Sequence, residues 1–286
     1  MAAELQHFYH PRTGTLSYVV SDAQTSAAAV IDPVLGFSVI SGRTDSGPID
    51  DIKAHIKKNE LDVEWILETH AHADHLSGAQ ALKAELGGKI AIGEGIRKVQ
   101  EHFAGVFNLK SPFVADGRQF DHLFADGETF ALGNIECRVL ATPGHTSDSV
   151  TYLIDNYAFV GDSLFMVDSG TARCDFPGGD AAMLYRSIQK LFSLPDETVL
   201  CMCHDYQPNG RELRYAVTVR EQREDNIHVG AGASEQEFVE VRTTRDRTLS
   251  LPALILPAIQ VNIRAGHLPD PEDNNISYIK IPLDTI

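Results

Sequence analysis

The segment Thr69-His70-Ala71-His72-Ala73-Asp74-His75 puts three imidazoles and one carboxylate within six positions, directly after the apolar run 63–67. Donors at that density point to a metal site, because each titratable group costs free energy on burial unless it is paired, hydrogen-bonded or coordinated to a cation. A strand that ends at His70 and gives way to a helix at about Leu76 leaves His70, His72, Asp74 and His75 on a loop held by rigid elements. Further donors follow other apolar runs: His145 in Thr142-Pro143-Gly144-His145, Asp162 after 157–161, and His204 after 199–203. One such residue alone reads as a turn former or a surface residue. Together they predict that one edge of the sheets gathers all the donors. His7, His10, His55, His102, His122, His228 and His267 lack this setting and are read as having no part in it.

The elements that must position these donors are short β-rich runs at 16–20, 27–31, 63–67, 89–92, 136–140, 149–154, 157–160 and 198–203. Helical spacing appears at 76–86, which ends at Gly87-Gly88, and at 181–194, which Asp180 caps. Residues 134–160 read as a meander through the Thr142–His145 loop and the Asp155-Asn156 turn. The pattern predicts an α/β architecture of layered mixed sheets covered by helices, not a strict βαβα alternation. Residues 1–286 read as one domain, with roughly 235–286 as a C-terminal extension packed on it. That extension shows a helix at 235–241, a stretch 249–259 broken by Pro252 and Pro257, and an acidic tail from 270.

A net charge of −16 opposes nucleic acid and anionic membranes, so an anionic substrate needs a local basic pocket. No stretch approaches the roughly 18 apolar residues of a membrane helix, and the N-terminus lacks a basic and apolar leader pattern, so a cytoplasmic location is expected. Four cysteines make no disulfide framework, and reduced thiols are expected.

The string Thr-His-Ala-His-Ala-Asp-His, then Pro143-Gly144-His145-Thr146, Gly161-Asp162-Ser163-Leu164-Phe165 and His204, resembles the metallo-β-lactamase superfamily. That resemblance implies an αββα sandwich of two mixed β-sheets with the metal at one edge. It does not fix the reaction, since one fold hosts many chemistries. Three other segments resemble the persulfide dioxygenases: Ser169 to Phe176 around Arg173, His204-Asp205-Tyr206 leading to Arg211 and Arg214, and Leu256 to Asn262.

This second resemblance implies one Fe(II) per chain on His70, His145 and Asp162, a two-histidine, one-carboxylate face with open positions for sulfur and dioxygen. It implies oxidation of glutathione persulfide with O2 and water to sulfite and glutathione, with His72, Asp74, His75 and His204 as hydrogen-bonding neighbours of the ligands. The alternative is a glyoxalase II-type dinuclear hydrolase of glutathione thioesters, with His70, His72 and His145 on one ion, Asp74, His75 and His204 on the other, and Asp162 bridging. The metal-binding motif alone does not choose between one ion and two.

Arg173 reads either as a contact for a substrate carboxylate or sulfur oxyanion, or as the partner of Asp175 or Asp168. Tyr206, Arg211 and Arg214 read as contacts for the glutathione carboxylates or as helix-face and surface residues. Cys174 reads as a small apolar filler, with a redox role as its alternative. A homo-oligomer is compatible with the resemblance.

Overall fold

A computed structural model describes residues 3–285 of the chain. The first sheet holds, in spatial order, β1 (Ala3–His10), β2 (Thr15–Asp22), β3 (Ala27–Ile31), β4 (Asp62–Leu67), β5 (Lys89–Gly93) and β6 (His122–Phe124). Pairing is antiparallel from β1 to β3 and parallel from β3 to β6, so the sheet is mixed. The second sheet runs β7 (Thr129–Leu132), β8 (Ile135–Ala141), β9 (Val150–Ile154), β10 (Tyr157–Phe159), β11 (Val199–Cys201) and β12 (Ala216–Thr218). Its one parallel pair, β10 with β11, is joined through the crossover that carries α4 (Ala181–Phe192).

Side chains alternate across the strands, and the alternation builds two apolar layers. Tyr18 and Val20 of β2 and Ala29 and Ile31 of β3 meet Val139, Tyr152, Ile154 and Phe159 of the second sheet. Their neighbours Val19, Ala28 and Val30 point the other way, onto Ile49, Ile52 and Ile56 of α1 (Gly47–Lys58), Leu82 of α2 (Ala79–Leu86) and Phe103 of α3 (Ile96–Val106). Strands buried on both faces read as nearly continuous apolar runs, which is the pattern of 27–31. On the second sheet, Leu184, Ile188 and Leu191 of α4 join the inter-sheet cluster, each fully buried and contributing about 1.5–3 kcal/mol. Ser187 Oγ and Lys190 Nζ of the same helix donate to the carbonyls of Pro143 and Ala141, fixing α4 beside the loop that carries His145. The layers are therefore the expected helix, sheet, sheet, helix sandwich.

Three boundaries differ from the sequence reading. Residues Leu76–Ser77 form a two-residue strand against Val34–Ser38, which also pairs with Arg43–Asp45, and α2 begins only at Ala79. The main-chain pairing of Leu76 to Val34–Ser38 outweighs the helical spacing of its side chain. In the last segment, α6 spans Glu235–Asp246, five residues beyond the expected end, because a Ser234/Glu237 capping box starts it and the Arg242–Asp246 pair closes it. Helix α7 (Ile255–Asn262) accommodates Pro257 in its first turn, where a missing N–H costs nothing. α5 (Val219–Asp225) lies between α4 and α6, and no described helix is long and apolar enough to cross a membrane.

Candidate metal centre

Every donor singled out in the sequence sits just past the C-terminal end of a strand: His70 to His75 after β4, His145 after β8, Asp162 after β10 and His204 after β11. Two glycines make the tight approaches possible. Gly161 has φ +53°, and a Cβ there would lie 2.7 Å from Thr69 Oγ1. Gly144 has φ +142°, and its Cβ would meet the backbone nitrogen of Leu184 at 2.4 Å. Each glycine immediately precedes a donor, so both steer a carboxylate or imidazole into the centre.

His70, His145 and Asp162 converge, and their donor atoms lie within 4.8 Å of one another. Asp162 Oδ2 is 3.6 Å from His145 Nε2 and 4.0 Å from His70 Nε2. Three bonds of about 2.0–2.2 Å to one ion place donor atoms about 3–4 Å apart, so this spacing fits a metal ion. The orphaned atoms agree. His70 Nε2 and Asp162 Oδ1 are buried with no hydrogen-bond partner, although buried polar atoms are almost always satisfied.

The opposite edge of each ring fixes its orientation. Thr69 donates its hydroxyl to Asp32 Oδ2 at 2.8 Å, which leaves Thr69 Oγ1 to accept from His70 Nδ1 at 3.1 Å. His145 Nδ1 donates to the carbonyl of Arg173 at 2.7 Å. Both Nε2 lone pairs therefore face the centre, as metal-binding imidazoles require. Burial, with the neighbouring His72 and His145 rings, pushes the His70 imidazole well down, so it is held neutral in the ligating form.

The remaining donors form a second cluster. His72, Asp74 and His75 group together, and His204 Nε2 stands 3.6 Å from Asp74 and 3.5 Å from Asp162. His75 Nε2 and both His204 ring nitrogens are buried without partners. His72 Nδ1 is likewise orphaned, while its Nε2 bonds Asp32 Oδ1 at 2.9 Å and approaches Glu68 Oε2 at 3.6 Å. Burial alone would lower the His72 imidazole, but the Asp32 carboxylate lifts it well above its ordinary value.

Asp32 and Glu68 are the residues sequence reasoning missed. Asp32 accepts from the Thr69 amide, the Thr69 hydroxyl and His72, and thereby ties β3 to the donor loop. Its signal was available, since it directly follows the apolar run of β3 as His70 follows β4. Asn262 of α7 was quoted only within a motif. Its amide donates to the carbonyls of His72 and His75 and accepts from the Ser77 amide, so the C-terminal segment holds the donor loop in shape.

A cavity of about 490 Å³ opens on the centre, with His145, Asp162, Phe165, Phe176, Tyr206 and Arg173 on its walls. Tyr206 stacks on His204 at 5.5 Å between ring centroids. Arg173 does line the cavity, but its guanidinium is bound in a fork to Asp175 at 2.6 and 2.7 Å and donates to the Ser250 carbonyl. Arg211 and Arg214 do not belong to the lining. Arg211 is half-buried and pairs with Asp168 and the buried Asp205, and Arg214 pairs with Glu221, so both guanidinium groups are committed to acids of the chain. Cys174 is buried in the apolar cluster, where burial pushes its thiol up and removes thiolate character, which favours the filler reading. All four cysteines are free and buried.

Sheets, loop donors and cavity define a metal-centred α/β sandwich, and the chain belongs to the metallo-beta-lactamase superfamily, whose family model matches residues 10–204. It is 50% identical over 292 residues to a probable metallo-hydrolase of Burkholderia pseudomallei, with 99% of each chain covered. It is 29% identical over 265 residues to the mitochondrial persulfide dioxygenase ETHE1 of Homo sapiens, covering 92% of this chain and 88% of that one. The crystal structure of ETHE1 from Myxococcus xanthus matches with a TM-score of 0.73 at 29% identity, over 92% of this chain and all of that one.

Proposed function

We propose that the chain is an Fe(II)-dependent persulfide dioxygenase that converts glutathione persulfide, O2 and water into glutathione, sulfite and two protons. The observation that carries this reading is the three-donor face of His70, His145 and Asp162, whose donor atoms lie within 4.8 Å of one another, with His145 and Asp162 on the cavity wall. His70, His145 and Asp162 would hold Fe(II), which would supply the redox chemistry of dioxygen. The similarity to persulfide dioxygenases over 92% of the chain supports the same reading.

The protein's own residues supply orientation and surroundings. The Asp32–Thr69–His70 chain and the Arg173 carbonyl hold the two imidazoles by their Nδ1 edges. Phe165 and Phe176 line the side where the substrate sulfur sits and keep competing water out of it. Asp74 Oδ2 and His204 Nε2, 3.6 Å apart, present an acceptor and a ring nitrogen to the water that the reaction consumes.

A specific observation favours a second reading, a dinuclear hydrolase of glutathione thioesters. The orphaned Nε2 atoms of His75 and His204 lie beside Asp74 and Asp162, as a second ion would require, and the Burkholderia relative is named a metallo-hydrolase. Metal analysis of protein prepared without oxygen, paired with an oxygen electrode, separates the two. About one iron per chain with oxygen uptake on glutathione persulfide is expected. Two zinc ions per chain, cleavage of S-lactoylglutathione and no oxygen uptake after iron loading would overturn the dioxygenase reading.

A further inference from the structure

The cleft over the metal centre has two lobes. The first holds the cavity described above, and the second, of about 510 Å³, runs toward the turn between β1 and β2. Asp74, Arg173, Tyr206, Leu249 and Pro252 line both, so the lobes share the wall beside the donors. Four arginines face this cleft, Arg173 and Arg242 with Arg245 in the first lobe and Arg173 with Arg12 in the second.

Two of the four are committed. Arg173 is forked onto Asp175, and Arg242, fully buried, is paired with Asp246 at 2.6 Å and donates to the Thr171 carbonyl. Arg12 and Arg245 are exposed, and among the described residues neither guanidinium has an ion-pair or hydrogen-bond partner. In a chain with 40 acidic against 24 basic residues, arginines that face a cleft with no acidic partner of their own are informative. Asp168, the acid of the first lobe away from the donors, is already neutralised by Arg211.

Arg245 is also held in place. It lies on α6 between Arg242 and Asp246, and that pair fastens the helix to the 171–174 loop through the Thr171 carbonyl and through Asp246 Oδ2, which accepts from the Cys174 amide at 2.9 Å. A guanidinium on a clamped helix loses less freedom when it engages a carboxylate in a fork.

We propose that Arg12 and Arg245 are the seats for two separated carboxylates of the substrate, one in each lobe, with the reacting sulfur between them at the shared wall. The ligand class is a small thiol derivative carrying a carboxylate at either end, which glutathione is. The proposal rests on the reading given above for the reacting group, and its binding geometry holds for a glutathione thioester as well.

Calorimetric titration of the full-length chain with S-methylglutathione and with its diethyl ester tests it. The free diacid is expected to bind the wild type more tightly than the ester. Arg12→Gln and Arg245→Gln are each expected to weaken the diacid about tenfold, leave the ester unchanged and flatten the salt dependence, the usual size for one charge-assisted pair. Arg12→Lys and Arg245→Lys keep the charge without the fork and are expected to recover only part of the affinity lost in the glutamine variants. Equal binding of diacid and ester to the wild type, or equal weakening of both ligands in the variants, overturns the proposal. Oxygen uptake is measured separately. A wild type that binds the diacid through both arginines but consumes no oxygen with glutathione persulfide refutes the dioxygenase reading and leaves the carboxylate seats standing.

Discussion

Replacing Asn262 by leucine removes the link between the C-terminal helix and the donor loop while keeping the branched shape and heavy-atom count of the side chain. Asn262 is 4% exposed and makes three bonds of 2.8 Å, from its amide to the carbonyls of His72 and His75 and from the Ser77 amide to its Oδ1. Each neutral bond contributes about 0.5–1.5 kcal/mol net, and a buried group left unpaired costs about 1–3 kcal/mol. Three bonds lost, with two carbonyls and one N–H stranded, predict a loss of about 3–5 kcal/mol. The lower end, about 3 kcal/mol, is the expected net change, because the leucine side chain is itself apolar and stays buried. The assay is urea unfolding of chelator-treated protein, which separates the loop's own stability from metal binding, with hydrogen exchange over 70–77 as the local readout. A loss under about 1 kcal/mol with unchanged exchange over that segment would refute the view that α7 holds the loop. Asn262→Asp keeps the Ser77 bond but sets an oxygen against two carbonyls, so it is expected to behave like the leucine variant.

Thr69→Val breaks the Asp32–Thr69–His70 chain without changing volume much, and metal affinity is expected to fall about 10–100-fold, measured by competition with a chelator. Gly161→Ala forces a Cβ onto Thr69 at a positive φ, and a loss of metal content with a fall in melting temperature is expected, read by elemental analysis and calorimetry. His228 Nδ1 accepts from the Thr171 amide, and burial, with the charges of Arg242 and Arg245, lowers its imidazole to about 4. Between about pH 6.5 and 4 the unfolded chain therefore binds a proton that the folded chain refuses, and stability falls as pH falls through that window. Partial exposure limits the effect to about 1–2 kcal/mol, and His228→Gln is expected to remove it from the pH dependence of urea midpoints.

The donor set was legible in the sequence because a metal site demands residue types that ordinary packing avoids. His70, His145, Asp162 and His204 each follow an apolar strand run, and such runs announce themselves through composition. The layering of mixed sheets covered by helices was legible in the strand and helix pattern, whereas the αββα order followed only from the family resemblance. The roles of individual arginines were not. Arg173, Arg211 and Arg214 looked alike as cations near motifs, and their commitment depends on Asp175, Asp168, Asp205 and Glu221 standing within 3 Å. Arg245 drew no notice, because nothing in its local sequence reports that it faces a cleft.

Sequence by itself determined the chemistry on offer: which atoms can bind a metal, and the strand ends that carry them. Tertiary structure alone decided how those atoms are divided. It brought His70, His145 and Asp162 together with His204 beside them, drew His72 toward Asp32, anchored the donor loop to Asn262 nearly two hundred positions away, and left two arginines free over the cleft. The physical reason is that donor identity is a property of a residue, whereas ring orientation, ion pairing and burial are properties of what the fold places a few ångströms from it.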